Sequence, residues 1–366
     1  MLRLASSLLI LMALFVAGCG ASTSTSSATT TLTVWYSTDD PVERIWSQQL
    51  ARRFEATHPN VRVQFDTLSF EDINTKLQLA LNAGTPPDLA YVTPRGPGIP
   101  VYVRAHKLLD LTAAAGSSDW AHRLRPGLLA AYNQPFSHEG ARPGEIVAVP
   151  TALAAVGVLY NRRLLDRLHL AVPRTLTQLS ADLVRAKAAG LTPIGMGNGD
   201  GWVGDDWYLT LVNSIVPPAR LAPELQGDRR FSFLRPPFLQ ASTMLRAWAA
   251  AGYLTPDFGG LDAQEGLVQF FKGSTLFQLI SSSENAQILG LERATRLPIG
   301  VFAFPGGKKG VMPQSGYLGW VVPAAARHRA AAISFIDDLL TPSTASFLLQ
   351  RGQLPAVAGA GARGAT

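Results

Sequence analysis

The sequence predicts an α/β protein built as two lobes. Strand and helix patterns alternate at the start of the predicted ordered region, which is typical of a mostly parallel sheet with helices on its faces. The chain has 366 residues, a length that suits two lobes better than one compact core. Hydrophobic residues make up 47% and charged residues 16% of the chain. This composition indicates a globular body rather than a disordered one.

The individual elements follow from local patterns. Runs of β-branched and aromatic residues predict strands, apolar residues at three- and four-residue spacing predict helices, and Pro or Gly ends them. The first elements are predicted as strand 32–36, helix 41–54, strand 61–65, helix 70–82 and strand 88–92. Later strands are predicted at 146–150, 157–160, 275–280, 300–305 and 317–322. Later helices are predicted at 178–189, after 208, and at 238–248, 266–271 and 324–340.

The N-terminus has the pattern of a bacterial export signal. An apolar run, Leu4 to Val16, follows Arg3 and ends in small residues directly before Cys19. This run is shorter than the ~20 residues that span a bilayer, and its flanks are those of a secretory signal. Val-Ala-Gly-Cys resembles the bacterial lipobox, in which the signal is cut before the cysteine and the thiol is lipidated. Cys19 is the only cysteine, so it has no disulfide partner in this chain.

We therefore predict a signal peptide over residues 1–18, a lipidated Cys19 and a flexible tether over 19–31. The tether is nearly all Ser, Thr, Ala and Gly, and such a segment cannot bury apolar surface. The alternative is an ordinary signal peptide with an incidental cysteine. In either case the sequence predicts an exported protein, attached to the membrane from its outer side if the lipobox is used.

Composition and motifs exclude several other classes. The formal net charge is +6, but the basic residues are scattered and have no aromatic residues between them, so no nucleic-acid partner is predicted. The histidines show no metal-ligand spacing, and no metal site is predicted. The glycine-rich stretch 195–201 lacks both the Gly-Lys-Ser/Thr end of a P-loop and the dinucleotide-binding spacing. We interpret this stretch as a mobile loop and predict no cofactor.

Seven short motifs occur in a fixed order and together resemble a known family. They are FEATHPNVRV at 54–63, AGTPPD at 83–88, KLLDL at 107–111, VP at 149–150 with LYNR at 159–162, PRTLTQL at 173–179, FKGS at 271–274 and GQLP at 352–355. Each motif is weak alone. In this order, over residues 32–357, they resemble the family 1 extracellular solute-binding proteins of ABC transporters, the maltose-binding-protein type.

The resemblance implies a periplasmic-binding-protein type II fold. Its hinge would be two short crossover segments, 151–156 and 301–306. Lobe 1 would comprise residues 32–150 and 307–341, and lobe 2 residues 151–306 and 342–366. The family usually continues for several helices after the GQLP-type motif, whereas this sequence stops soon after Pro355. We therefore expect lobe 2 to be shortened.

The resemblance also implies a function. The protein would bind a carbohydrate in the cleft between the lobes, close on it, and deliver it to the permease subunits of an ABC importer. It would act as a monomer and would not be an enzyme.

Candidate ligand contacts follow strands, because ligands of open α/β sheets sit beyond the carboxyl ends of strands. Sugars need flat apolar faces and paired polar groups, and both occur at these positions. We predict these ligand contacts: Ser37, Thr38, Asp39, Asp40, Arg95, Trp202, Asp205, Asp206, Glu284, Ser315, Gly316 and Tyr317. Three neighbouring aromatics have a second interpretation as core residues: Trp207, Tyr208 and Trp320.

Two other functions stay open on the sequence. In the first, the same fold binds an anion such as a glycerol or sugar phosphate, with Arg95 as its anchor. In the second, a secreted glycoside hydrolase uses a carboxylate pair, Asp205 or Asp206 with Glu284.

Overall fold

The computed structural model describes residues 29–38, 41–95, 97–216, 232–306, 314–316 and 318–359. The predicted signal peptide, Cys19 and almost all of the predicted tether lie outside these ranges, as do Asp39, Asp40 and Tyr317. None of the helices within the described ranges is long and apolar enough to cross a membrane.

The described residues form eleven strands and fourteen α-helices. The strands are β1 Thr30–Ser37, β2 Val61–Leu68, β3 Leu89–Val92, β4 Val149–Pro150, β5 Ala152–Asn161, β6 Thr192–Gly195, β7 Thr275–Ser281, β8 Ile299–Phe302, β9 Gln314–Gly316, β10 Gly319–Val321 and β11 Leu354–Pro355. The helices up to residue 133 are α1 Pro41–Thr57, α2 Phe70–Ala83, α3 Ile99–Arg104, α4 Thr112–Ser117, α5 Trp120–Arg123 and α6 Leu128–Asn133. The later helices are α7 Arg162–Arg167, α8 Leu176–Ala188, α9 Trp202–Ile215, α10 Pro236–Ala250, α11 Ala263–Gln269, α12 Asn285–Thr295, α13 Arg329–Leu339 and α14 Pro342–Leu349.

These strands build two separate sheets, so the predicted α/β fold class is confirmed. The first sheet has the order β2-β1-β3-β10-β4, with β1 parallel to both β2 and β3 and β10 antiparallel to its neighbours. The second sheet has the order β11-β5-β7-β6, with β8 and β9 also paired to β5. In the first sheet β10 lies between β3 and β4, although it comes much later in the sequence than either strand. The chain therefore crosses between the sheets more than once, as a two-lobed type II fold requires.

Each sheet has its own large hydrophobic core. The first core contains the buried rings of Trp120, Trp320 and Phe335. The second contains Trp207 and Trp248, whose rings meet edge to face with centroids 5.8 Å apart. Trp207 and Trp320 are both about 1% exposed, so both are core residues.

The C-terminal segment contributes to both halves of the molecule. The sequence assigned residues 342–366 to lobe 2, but Phe347 and Leu348 of α14 belong to the first core. The apolar face of α14 is buried near α1, where the guanidinium of Arg53 lies 5.0 Å from the ring centroid of Phe347. Strand β11, a few residues later, pairs with β5 of the second sheet. The segment therefore contacts both sheets, and the lobe boundaries stay a prediction.

Helix α9 begins earlier than the sequence indicated. The sequence predicts this helix only after residue 208, but it starts at Trp202 after Gly201, which has a left-handed φ of 82°. The Asn198 side chain folds back and accepts a hydrogen bond from the backbone N–H of Gly204 at 2.6 Å. A Cβ atom at Gly204 would lie only 2.8 Å from that Asn198 oxygen. The Asn198 side chain therefore occupies the space that a side chain at residue 204 would need, and the early start places Asp205 and Asp206 on the helix.

Helix α13 begins later than predicted, at Arg329 rather than at residue 324. Part of the reason is that the backbone of residues 324–328 forms hydrogen bonds with earlier parts of the chain. Ala324 donates to the carbonyl of Lys107, and the N–H of His328 donates to the carboxylate of Asp88. These bonds hold residues 324–328 against the first half of the chain instead of in a helical turn.

Candidate ligand-binding site

The candidate site lies where the loop after β3 meets the start of α9. Arg95 follows a strand of the first sheet, and Asp205 lies on the helix that follows β6 of the second sheet. Nη1 of Arg95 donates to Oδ2 of Asp205 at 2.7 Å. Both side chains are about half exposed, 57% and 47%, so an ion pair of this kind contributes only about 0–1 kcal/mol. This ion pair nevertheless brings together two predicted ligand contacts, one that follows a strand of the first sheet and one on a helix that follows a strand of the second.

One face of α9 carries an aromatic ring and a carboxylate. Trp202 and Asp206 are four residues apart in the helix, so their side chains project from the same side. Both side chains are partly buried. The indole N–H of Trp202 donates to the carboxylate of Asp200 at 2.8 Å, which restrains the ring. A restrained indole beside a carboxylate matches what sugar recognition needs, namely an apolar surface and a strong hydrogen-bond acceptor.

Asp206 has a strongly perturbed titration. Burial raises its pKa, the nearby positive charge of Arg95 lowers it, and the negative charge of Asp205 raises it, with a net result of about 6. Within the described ranges, no hydrogen bond or ion pair of the Asp206 carboxylate is found. At pH 7 it is therefore a mostly ionised, partly desolvated carboxylate without a direct counter-ion among the described residues.

The end of β1 is buried. Ser37 and Thr38 are each 1% exposed, and the hydroxyl of Ser37 has no hydrogen-bond partner among the described residues. Thr38 donates its N–H to the carbonyl of Leu68. Their neighbours Asp39 and Asp40 lie outside the described residues. The predicted ligand contacts of this loop therefore stay predictions.

The remaining predicted contacts lie in two further segments. Glu284 is 6% exposed, and its Oε2 accepts the N–H of Ser281 at 2.8 Å in a capping box. Ser315 and Gly316 lie in β9 and pair with Ala154 and Leu153 of β5. Tyr317 lies outside the described residues. The capping bond gives Glu284 a structural role, and the ligand contacts of these residues stay predictions.

Sequence reasoning missed a polar and aromatic cluster at the junction of the two sheets. Oε1 of Glu43 accepts a 2.6 Å hydrogen bond from Gln353, and both side chains are almost fully buried. The Tyr91 ring stacks on Trp320 at 4.5 Å and on Tyr36 at 5.0 Å. Burial, together with the negative charge of Glu43, raises the pKa of the Tyr91 phenol well above its usual value.

The available sequence signal for this cluster was the GQLP motif, which contains Gln353. The bond to Glu43 gives this motif a physical role: it ties the C-terminal segment to the first turn of α1. A second missed residue is Tyr132 of α6, which is 8% exposed. Burial and the neighbouring Tyr91 raise its pKa, and the Arg95 charge lowers it, so this phenol lies within electrostatic range of the candidate site. Nothing in the local sequence marks Tyr132.

The fold and the sequence together define the class of protein. A family model of bacterial extracellular solute-binding proteins matches residues 40–345, and the chain belongs to this family. The resemblance drawn from the seven motifs is thereby confirmed.

Individual relatives are more distant. A probable sugar-binding periplasmic protein of Mesorhizobium japonicum is 26% identical over 262 residues, 70% of this chain and 59% of that protein. A multiple sugar-binding protein of Streptococcus mutans is 21% identical over 90% of this chain and 76% of its own length. Among solved structures, a chitin oligosaccharide binding protein superimposes with a TM-score of 0.74 at 21% identity, covering 91% of this chain and 82% of that one. This chain thus spans only about three-fifths of the first relative, and the likeness to the solved structure concerns the fold.

Proposed function

We propose that this protein captures a carbohydrate between its two lobes and delivers it to the permease of an ABC importer. The observation that carries the proposal is the α9 face, which carries the restrained Trp202 ring and the Asp206 carboxylate. Arg95 of the other half lies within electrostatic range of that carboxylate. The names of the two relatives, both sugar-binding, support the ligand class. Capture would work by closure of the lobes, since a ligand that contacts both halves favours the closed state. The protein acts as a monomer.

An anionic ligand anchored by Arg95 is less well supported. The guanidinium is already engaged by Asp205 at 2.7 Å. A phosphate would have to displace a carboxylate and would then face Asp206 as well. Because like charges at short range disfavour binding, the electrostatics favour a neutral or cationic solute.

A hydrolase is also less well supported. A glycoside hydrolase would need two carboxyl groups, both free to react, on either side of the glycosidic bond that it cleaves. Asp205 is in an ion pair, and Glu284 accepts the Ser281 N–H as part of a cap. The family and the neighbouring structures are binding proteins, so we infer a binding protein that releases its ligand unchanged.

The first experiment is a thermal-shift panel with mono- and oligosaccharides, polyols and sugar phosphates. A true ligand at 100 times its Kd should stabilise the protein by ~2.7 kcal/mol. Small-angle scattering with the best ligand should show contraction of a monomer. A panel in which no sugar shifts the melting temperature, or in which only sugar phosphates do, would contradict the proposal.

Replacing Trp202 by alanine should weaken binding of the best sugar at least about tenfold, a loss of ~1.4 kcal/mol. The variant loses the apolar face for the sugar ring. Because Trp202 lies in the first turn of α9 and is only partly buried, the fold should survive. Titration calorimetry gives the affinity, and the melting curve without ligand is the control. Unchanged affinity in a normally folded variant would move the site towards Ser37–Asp40 and Ser315–Tyr317.

We further propose that Cys19 carries the lipid that attaches the protein to the membrane. One thiol would hold the whole anchor, so Cys19→Ala should abolish incorporation of a labelled acyl chain and leave the precursor uncut or release the protein. A full-length chain with the native cysteine is the control. Acyl labelling that persists in the variant would contradict this role.

A further inference from the structure

The predicted contacts carry a charge opposite to that of the protein. The chain as a whole has a formal net charge of +6. Among the predicted contacts that the structure describes, Arg95 is the single cation, whereas the carboxylates are Asp205, Asp206 and Glu284. A concentration of one sign in a cleft focuses the field there and attracts solutes of the other sign.

The described part of the cleft shows how these charges are distributed. Arg95 and Asp205 satisfy each other across the two halves at 2.7 Å. Asp206, the next residue, is a second carboxylate near the same guanidinium of Arg95, which already pairs with Asp205. It has no hydrogen bond within the described ranges, and burial is the largest cause of its raised pKa, about 6. Counted over Arg95, Asp205 and Asp206 alone, the charges at neutral pH sum to one negative charge, on a group that burial has partly stripped of water. The Asp200 carboxylate beside Trp202 is a further acidic group of the same site.

The surroundings of Asp206 suit a cation attached to a ring. Trp202 lies one helical turn away on the same face, and its indole is held by Asp200 at 2.8 Å. An indole face attracts both the C–H surface of a sugar and a nearby ammonium group, the latter through its ring quadrupole. A sugar hydroxyl could donate a hydrogen bond to the Asp206 carboxylate, but only a cation would neutralise its charge. A hydrogen bond between two charged groups is also stronger than one from a neutral hydroxyl.

We propose that the ligand is an amino sugar, whose protonated amine pairs with Asp206 while its ring lies on Trp202. This inference rests on the proposed carbohydrate-binding function and narrows it to one chemical class. A neutral sugar of the same size and linkage would fill the same space but leave Asp206 uncompensated.

The test compares three disaccharides that share one linkage and skeleton. They are the β-1,4-linked glucosamine dimer, its diacetylated form and cellobiose, which carry an amine, a neutral amide and a hydroxyl at the same position. Titration calorimetry at pH 7 should give the free amine at least about tenfold tighter binding than either neutral analogue. Raising the ionic strength should weaken binding of the amine and leave the neutral sugars almost unchanged.

Two variants identify the group responsible. In Asp206→Asn the preference for the amine should fall to about one, because the amide keeps the shape but not the charge. Asp182→Asn is the matched control: its side chain, on α8, is buried, and burial raises its pKa as it raises that of Asp206. That variant should keep the wild-type preference. Melting curves check that both variants fold. The salt dependence of binding to the wild type tests the charge interaction even if a variant does not fold.

The outcomes are distinct. Equal or tighter binding of the neutral disaccharides by the wild type, or a preference for the amine that survives in folded Asp206→Asn, would overturn the amino-sugar inference alone. Absence of binding by these disaccharides and by every sugar of the wider panel would overturn the proposed function with it.

Discussion

Replacing Asp88 by alanine is expected to destabilise the protein by about 3–5 kcal/mol, the usual cost of removing one partner from a buried charged network. Asp88 is 3% exposed and ends the AGTPPD motif just before β3. Its carboxylate accepts the N–H and the hydroxyl of Thr33, both at 3.0 Å, and the N–H of His328 at 2.8 Å. The His328 ring lies 3.1 Å away. One side chain therefore ties β1, β3 and the approach to α13 together.

The loss of stability in Asp88→Ala should depend on pH and should be smaller in acid. Burial by itself would raise the pKa of Asp88, but the hydrogen bonds from Thr33 and His328 outweigh it, and the pKa is lowered. A lowered pKa in the folded state means that the contribution is present above the unfolded value of about 3.9 and is lost as the pH falls through the folded pKa. The difference between wild type and Asp88→Ala should therefore be largest near neutrality and shrink below about pH 4.

Urea unfolding from pH 3 to pH 7 measures this effect. Asp72→Ala is the control, because Asp72 is an exposed aspartate of α2 whose pairing with Lys76 is worth only about 0.3–0.5 kcal/mol. A loss of under 1 kcal/mol for Asp88→Ala at pH 7, or one that grows on acidification, would show that the carboxylate does not hold these elements together.

Replacing Trp320 by alanine should cost about 3–5 kcal/mol, as expected for removing a large ring from a packed core. The ring is 1% exposed, stacks on Tyr91 with centroids 4.5 Å apart and contacts Phe335 edge to face. Its indole N–H donates to the hydroxyl of Thr151 at 2.9 Å. Thr151 directly precedes β5, so this bond joins the first sheet to the segment that leads into the second.

Trp320→Phe separates the two contributions of the indole. Phenylalanine keeps an aromatic ring against Tyr91 but leaves the Thr151 hydroxyl without this partner, so it should cost less than the alanine variant and at least the ~1 kcal/mol of a buried hydrogen bond. Urea unfolding followed by tryptophan fluorescence and by circular dichroism measures both variants. An alanine variant within 1 kcal/mol of wild type would contradict a core role for this ring.

The sequence determined the local features of this protein. The run of β-branched and aromatic residues gave β1, and the Pro41 start with its apolar spacing gave α1. The Thr175–Gln178 pair within the PRTLTQL motif forms a capping box at the start of α8. Gly84, in the AGTPPD motif, closes α2 with a left-handed φ of 74°. These features depend on neighbours within a few residues, so short-range patterns are sufficient to predict them. The order of the motifs was likewise enough to indicate the family.

Only the tertiary structure decided how distant residues meet. Arg95 and Asp205 are 110 positions apart, and nothing near either residue predicts their ion pair. Glu43 and Gln353 are 310 positions apart and meet in a buried hydrogen bond. Phe347 of α14 belongs to the first core, and the guanidinium of Arg53 in α1 lies 5.0 Å from its ring centroid, a contact between opposite ends of the described chain. Local propensity fixes each element, whereas burial, charge and shape across the whole fold decide which side chains become partners. They also decide which side chains, like Asp206, have no hydrogen-bond partner among the described residues.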